Sequence, residues 1–196
     1  MSADVVEFHK AALEAVVRFL QRRGIDTLEE LNRYKGRKLL DVPLWKILEV
    51  RGKYGGRYIS EGVRELEVRL GRQVSASSGT WSDRDLERIF GPPPEGRRWS
   101  REKRYRCQLE HVNERSLLIG EILRSPDRAR WIVEHHLIGC VVLTPEHKRL
   151  TVVNAETRLD DPWYRYRAAN PSIRVWCRDT QDWLDLEPVG ASSGRS

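Results

Sequence analysis

Leu137-Ile138-Gly139-Cys140-Val141-Val142-Leu143-Thr144-Pro145-Glu146-His147-Lys148-Arg149-Leu150-Thr151 is the stretch that decides the fold class. Residues 137–144 are an apolar run that reads as a buried strand. Pro145 follows at once, and proline suits the first position of a helix. A short helix over 145–150 is therefore predicted, carrying His147 in its first turn. A strand that feeds directly into a helix calls for a sheet partner for the strand and a packed face for the helix.

Reading outward, a second strand is predicted over 104–109, with Glu110-His111 at its end, and helices over 113–124 and 127–136. Downstream, 161–169 reads as a helix. Residues 173–177 and 183–186 read as two strands joined through Arg178-Asp179-Thr180-Gln181-Asp182 as a hairpin. The first 90 residues read as helical. Val5, Val6, Phe8, Ala12, Leu13, Val16, Val17, Phe19 and Leu20 recur on one face, and Gly24 stops that helix. Asp26 is the expected cap of the next helix, with Leu28, Leu31 and Tyr34. Leu44 to Val50 forms another short apolar turn or helix. Tyr58 to Leu70 is read as a helix with a stripe of Ile59, Val63, Leu66 and Leu70. Ser82 with Asp85 three residues on resembles a capping box and opens a helix to Phe90.

Gly91-Pro92-Pro93-Pro94-Glu95-Gly96 breaks this pattern with a stiff, extended joint. The expected architecture is an α+β fold with four parts. Residues 1–91 form a helical subdomain, 92–103 a proline- and arginine-rich connector, 104–189 an α+β subdomain, and 190–196 a disordered tail. No internal repeat is present.

Composition narrows the class. At 196 residues, with 33% charged and 39% hydrophobic side chains, the chain is expected to fold around a good core. Its net charge is +6, and 28 arginines stand against 7 lysines. Arginine is the better residue for bidentate phosphate and guanine contacts. A GC-rich or thermophilic genome would also raise its number. No apolar run approaches the ~20 residues of a membrane span, and no signal peptide is visible. Cys107, Cys140 and Cys177 are odd in number and widely spaced, which fits free thiols and a reducing cytoplasm.

A carboxylate and two histidines on a strand–strand–helix frame suit one divalent cation plus a free imidazole as general base. Glu110-His111, the apolar strand Val141-Val142-Leu143, His147 and Thr151 carry a resemblance to HNH nucleases of the ββα-metal superfamily. It covers residues 104–154. That family has an acid–histidine pair on a first strand, a second strand, and then a helix with a metal-binding histidine. The resemblance implies His111 as general base and Glu110 and His147 as ligands of Mg²⁺ or Mn²⁺. Asn113 and Asn154 are candidates for the asparagine that orients the base, and His136 is a further auxiliary candidate. The turn lacks the cysteine pair of the zinc-stapled subtype. Residues 112–146, room for two helices, separate the two histidines. In a regular strand Glu110 and His111 face opposite sides, so the strand must end or bulge there for both to serve one site.

Other histidines and cysteines have plainer readings. His135 and His136 are consecutive on a helix, about 100° apart, and suit its C-terminal dipole. A structural zinc site from Cys107, His111, Cys140 and His147 matches no finger spacing and needs Cys140 to leave a buried strand. Contacts to nucleic acid are expected from Arg97, Arg98, Trp99, Arg101, Arg104 and Arg106, where arginines interleave with aromatics. Lys53 and Arg57 flank a glycine turn that could hold phosphate, though without a Walker pattern. Trp163 and Tyr166, three apart, are expected to pack together.

The expected function is a metal-dependent endonuclease that hydrolyses phosphodiester bonds in DNA, of restriction, phage or mobile-element type. RNA is the alternative substrate. A cytoplasmic homodimer is expected by analogy with restriction enzymes. The competing reading is a non-catalytic nucleic-acid-binding module or regulator.

Overall fold

The structure, a computed structural model, describes residues 3–51, 54–74, 79–153 and 159–186. In chain order its elements are α1 (Ala3–Arg22), α2 (Leu28–Arg33), α3 (Arg37–Val50), β1 (Tyr58–Ser60), α4 (Glu61–Leu70) and α5 (Asp83–Phe90). There follow β2 (Cys107–His111), α6 (Arg115–Arg124), α7 (Ala129–His136), β3 (Gly139–Leu143), α8 (Thr144–Val152), α9 (Tyr164–Ala168), β4 (Val175–Cys177) and β5 (Asp182–Trp183). The fold is α+β.

These elements divide into two compact units. The first comprises Met1–Gly52, His111–Ile138 and Thr157–Pro162, and all its regular elements are helices. The second comprises Lys53–Glu110, Gly139–Glu156 and Trp163–Ser196, and it holds the sheet. The proline-rich segment 92–103, expected as a joint, lies inside the second unit. The expected disordered tail at 190–196 lies outside the described residues.

In the first unit the predicted stripe of α1 puts Leu13, Val17 and Leu20 in a core with Leu40, Leu44 and Ile47 of α3. Leu118, Ile119 and Ile122 of α6 and Ile132 and Val133 of α7 are likewise buried. Phe8 and Phe19, expected on the same stripe, are 67% and 42% exposed. Lys10, by contrast, is buried, and its ammonium bridges Glu7 (2.8 Å) and Glu134 (2.7 Å). Those two carboxylates raise its pKa against the opposing effect of burial. Gly24 ends the helical turn at positive φ, as expected. The cap of α2 is Thr27 rather than Asp26. Thr27 and Glu30 form the reciprocal box, and the Asp26 N–H merely donates to the same Glu30 carboxylate.

The second unit is built on a five-stranded mixed sheet in the order β2-β3-β1-β4-β5. Tyr58–Ser60, read from its periodicity as helix, is the central strand. It runs parallel to β3 (Tyr58 opposite Cys140) and antiparallel to β4 (Ile59 opposite Trp176). Ser60 then turns the chain into α4, its hydroxyl accepting from the Val63 N–H at 3.4 Å. The helical stripe of Val63, Leu66 and Leu70 holds from that point, packing with Ile59, Trp81, Leu86, Trp99 and Val141. The Ser82–Asp85 capping box opens α5 as predicted. The predicted strand over 104–109 begins later, at Cys107, because Lys103–Tyr105 winds as a 3₁₀ turn. The predicted hairpin joins β4 to β5, with Trp176 opposite Trp183. Among the described residues no helix is long and apolar enough to cross a membrane.

Candidate active site

The start of α8 fixes the site. Thr144 follows β3 directly, and its N–H and hydroxyl both donate to the Arg106 carbonyl (2.9 and 3.1 Å). Glu146 at the third helical position turns back to accept from the Leu143 N–H at 2.7 Å. The same carboxylate accepts from the Ser60 hydroxyl and from the Gly62 N–H at 3.1 Å. Burial pushes the Glu146 carboxyl pKa up while these three donors pull it down, and the net shift is upward. Glu146 is thus a clamp between the β3–α8 and β1–α4 junctions, a role that sequence reasoning missed.

One residue on, His147 meets Glu110. The imidazole Nδ1 lies 2.6 Å from Glu110 Oε2, with the histidine side chain 32% exposed and the glutamate 9%. An ionised carboxylate only accepts, so the proton sits on Nδ1 and Nε2 is the nitrogen left for other chemistry. The second carboxylate oxygen, Oε1, accepts from Arg165 Nη2 at 2.8 Å, and Arg165 is itself buried on α9. The next residue, Tyr166, is fully buried beside Cys140. Burial raises both pKa values, so both groups stay protonated and neutral. Burial likewise pushes the Cys107 thiol up to about 12. The three cysteines are free.

Two expected ligands, 37 positions apart, therefore come together, and Arg165 joins them without having been foreseen. Its only sequence signal was its place in the aromatic and arginine run of residues 161–167. That cluster packs as expected, with Trp163 and Tyr166 rings 5.1 Å apart.

His111 belongs to the first unit. Its ring lies 5.5 Å from that of Trp45, and burial with the Arg115 charge lowers its pKa to about 4. It is neutral at pH 7 but a weak proton acceptor there. Asn113 is fully buried, and its amide donates to the His136 carbonyl at 2.8 Å, so it ties the chain after β2 to the end of α7. The His136 imidazole stands edge-on to Trp131 at 5.2 Å, and burial lowers its pKa. His135 stacks on the same indole at 4.5 Å. Asn154 and Lys53 lie outside the described residues.

The expected nucleic-acid contacts divide. Arg98, Arg101 and Arg106 are exposed. Arg97 and Arg104 sit 3.9 and 4.0 Å from Glu102. Arg57 pairs with Asp179 at 3.0 Å. Trp99, expected to stack on bases, is a core residue. It is 8% exposed, its indole N–H donates to the Gly91 carbonyl at 2.8 Å, and it packs against Phe90 and Tyr105. Its rings are enclosed because the proline-rich segment folds back on α5.

Among the described residues no three histidine, cysteine, aspartate or glutamate side chains gather as a metal cage. With Nδ1 turned to Glu110, His147 keeps Nε2 as a free lone-pair donor, while both Glu110 oxygens already accept hydrogen bonds. One such donor suits a divalent cation that keeps much of its shell as water and phosphate oxygen. Comparison with protein-family models, with curated proteins and with solved structures finds no match.

Proposed function

We propose that the chain is a metal-dependent endonuclease acting on DNA, with Glu110 and His147 at its working centre. The observation that carries this reading is the 2.6 Å approach of Glu110 Oε2 and His147 Nδ1 from the end of one strand and the first turns of the helix after the next. A divalent cation held at His147 Nε2 would neutralise charge on a scissile phosphate. Arg165 holds the carboxylate in one orientation from behind. Glu110 in turn fixes the tautomer and rotamer of His147, and the helix start clamped by Glu146 fixes its backbone. The role of His111 as base rests on the sequence resemblance alone.

The test is incubation of supercoiled plasmid with the protein in Mg²⁺, Mn²⁺ or EDTA. Nicking or linearisation is expected with metal only, and is expected to vanish in His147→Ala. His147→Ala is the cleaner variant, because removing the Glu110 charge strands a buried arginine at a cost of about 3–5 kcal/mol. The His111→Ala protein tests the base assignment separately. Full cleavage in EDTA, or in folded His147→Ala, ends this reading.

One observation favours the second reading, a non-catalytic nucleic-acid-binding module. Both oxygens of Glu110 are already engaged, by His147 and by Arg165, as in a purely structural network. That module would bind DNA with steep salt dependence and cleave nothing under any metal.

A further inference from the structure

The β4–β5 hairpin carries two indoles as direct cross-strand partners, Trp176 and Trp183, with ring centroids 5.3 Å apart at 79°. Each is covered by an arginine. Arg64 of α4 lies 4.5 Å from the Trp176 ring, and Arg174 lies 4.1 Å from the Trp183 ring. Neither arginine makes an ion pair among the described residues, and both indoles are only half-buried. The result is a ladder of guanidinium, indole, indole and guanidinium along one end of the sheet. Cation–π stacking holds each guanidinium plane while leaving its N–H edge able to donate.

Beside Trp176 opens a cavity of about 330 Å³, lined among others by Arg64, Arg72, Arg178, Gln181 and Glu67. Its volume falls at the small end of ordinary ligand sites. Three guanidiniums face one carboxylate there, and that carboxylate is already committed, because Glu67 accepts from Arg178 and from the Val74 N–H. The Arg178 side chain is 10% exposed, and its Nε is buried without a hydrogen-bond partner. Arg72 reaches the rim while paired with Asp85. Arg178 and Arg72 are paired with Glu67 and Asp85, so the surplus positive charge of the lining is that of Arg64, and an anion is the ligand that satisfies it. Two indoles set edge to face beside an anion pocket suit a base carrying a phosphate. Unpaired bases stack on aromatic rings and on arginine planes alike.

We propose that this ladder and cavity bind an unpaired nucleotide of a nucleic-acid strand. The phosphate is taken by Arg64 at the cavity mouth, and the base stacks against the Trp183 end of the ladder. The site uses neither Glu110, His111 nor His147, so it stands or falls apart from cleavage.

The probe is a fluorescein-labelled single-stranded 12-mer of thymidylate, titrated with the full chain in EDTA and read by anisotropy. Arg64→Ala is expected to weaken binding several-fold and to flatten the salt dependence by about 0.7, the single-strand value for one phosphate. Trp183→Ala is expected to weaken binding about tenfold and leave the salt slope unchanged, while Trp183→Phe retains most of the affinity. Melting temperatures identify any loss due to unfolding, and Arg64→Ala removes no ion pair, so it remains informative if the tryptophan variants melt early. Parental affinity in both Arg64→Ala and Trp183→Ala overturns the proposal. So does an equal loss on a blunt duplex 12-mer, because stacking requires unpaired bases. Thymidine monophosphate should compete only at far higher concentration. Competition at equal concentration would assign the site to free nucleotides and overturn the strand assignment.

Discussion

His111 shows how far a residue's chemistry is set by its surroundings. In the unfolded chain its imidazole titrates near 6.5, and in the folded protein burial and Arg115 depress that to about 4. The fold thus favours the neutral ring. The corresponding stability is fully present above pH 6.5 and is lost as pH falls toward 4, by on the order of 3 kcal/mol. Urea unfolding at steps from pH 7.5 to 4 should show this decline. His111→Phe, which keeps an aromatic ring beside Trp45, should flatten it by that amount. An unchanged pH slope in the variant would mean that the ring is solvated. The residue pattern Glu110-His111 was legible in the sequence, as was the need for the two side chains to face opposite sides of a strand. The environment of each ring was not, because burial is a property of neighbours distant in the chain.

At the scale of elements, the tight joint between α4 and α8 gives an inverted expectation for a helical glycine. Replacing glycine by alanine inside a helix normally stabilises by roughly 1 kcal/mol. At Gly62 an added Cβ would come within 2.8 Å of Glu146 Oε1 and 2.9 Å of Leu143 Cδ1. Glu146 has no freedom to retreat, since its carboxylate holds three donors. Gly62→Ala should therefore destabilise by about 1–3 kcal/mol, the usual cost of overpacking, measured by thermal or urea unfolding. A stabilised variant would show that the junction gives way. The same joint explains why 58–70 misled. Ile59, Val63, Leu66 and Leu70 do share helical spacing, but a three-residue strand is defined by its partners. Those partners, Cys140–Val141 and Val175–Cys177, come from far along the chain.

For the whole molecule, the +6 charge predicts association with polyanions, and its placement can be tested. Arg97, Arg98 and Arg101 are exposed around the buried Trp99. Changing all three to alanine should leave the melting temperature nearly unchanged, because exposed charges contribute little. It should lower duplex affinity evenly across sequences and flatten the salt slope by ~2 to 3. An unchanged slope would place the duplex contacts elsewhere and leave this arginine run without a nucleic-acid role.

By itself the sequence determined the features whose causes lie within a few residues. These are the period of α1, the left-handed stop at Gly24, the Ser82–Asp85 cap, the entry from β3 into α8 past Pro145, and the β4–β5 turn. Helix periodicity, caps and turns depend on local sterics and hydrogen bonds, so they survive being read one segment at a time. Tertiary structure alone decided that 58–60 is the central strand, that 111–138 joins the N-terminal helices in one compact unit, and that Trp99 is core. It also decided that Arg165 closes on Glu110 and that Arg64 meets Trp176. Strand pairing, burial and buried ion pairs depend on groups brought together only when the chain closes its long loops, and no local pattern encodes which groups those will be.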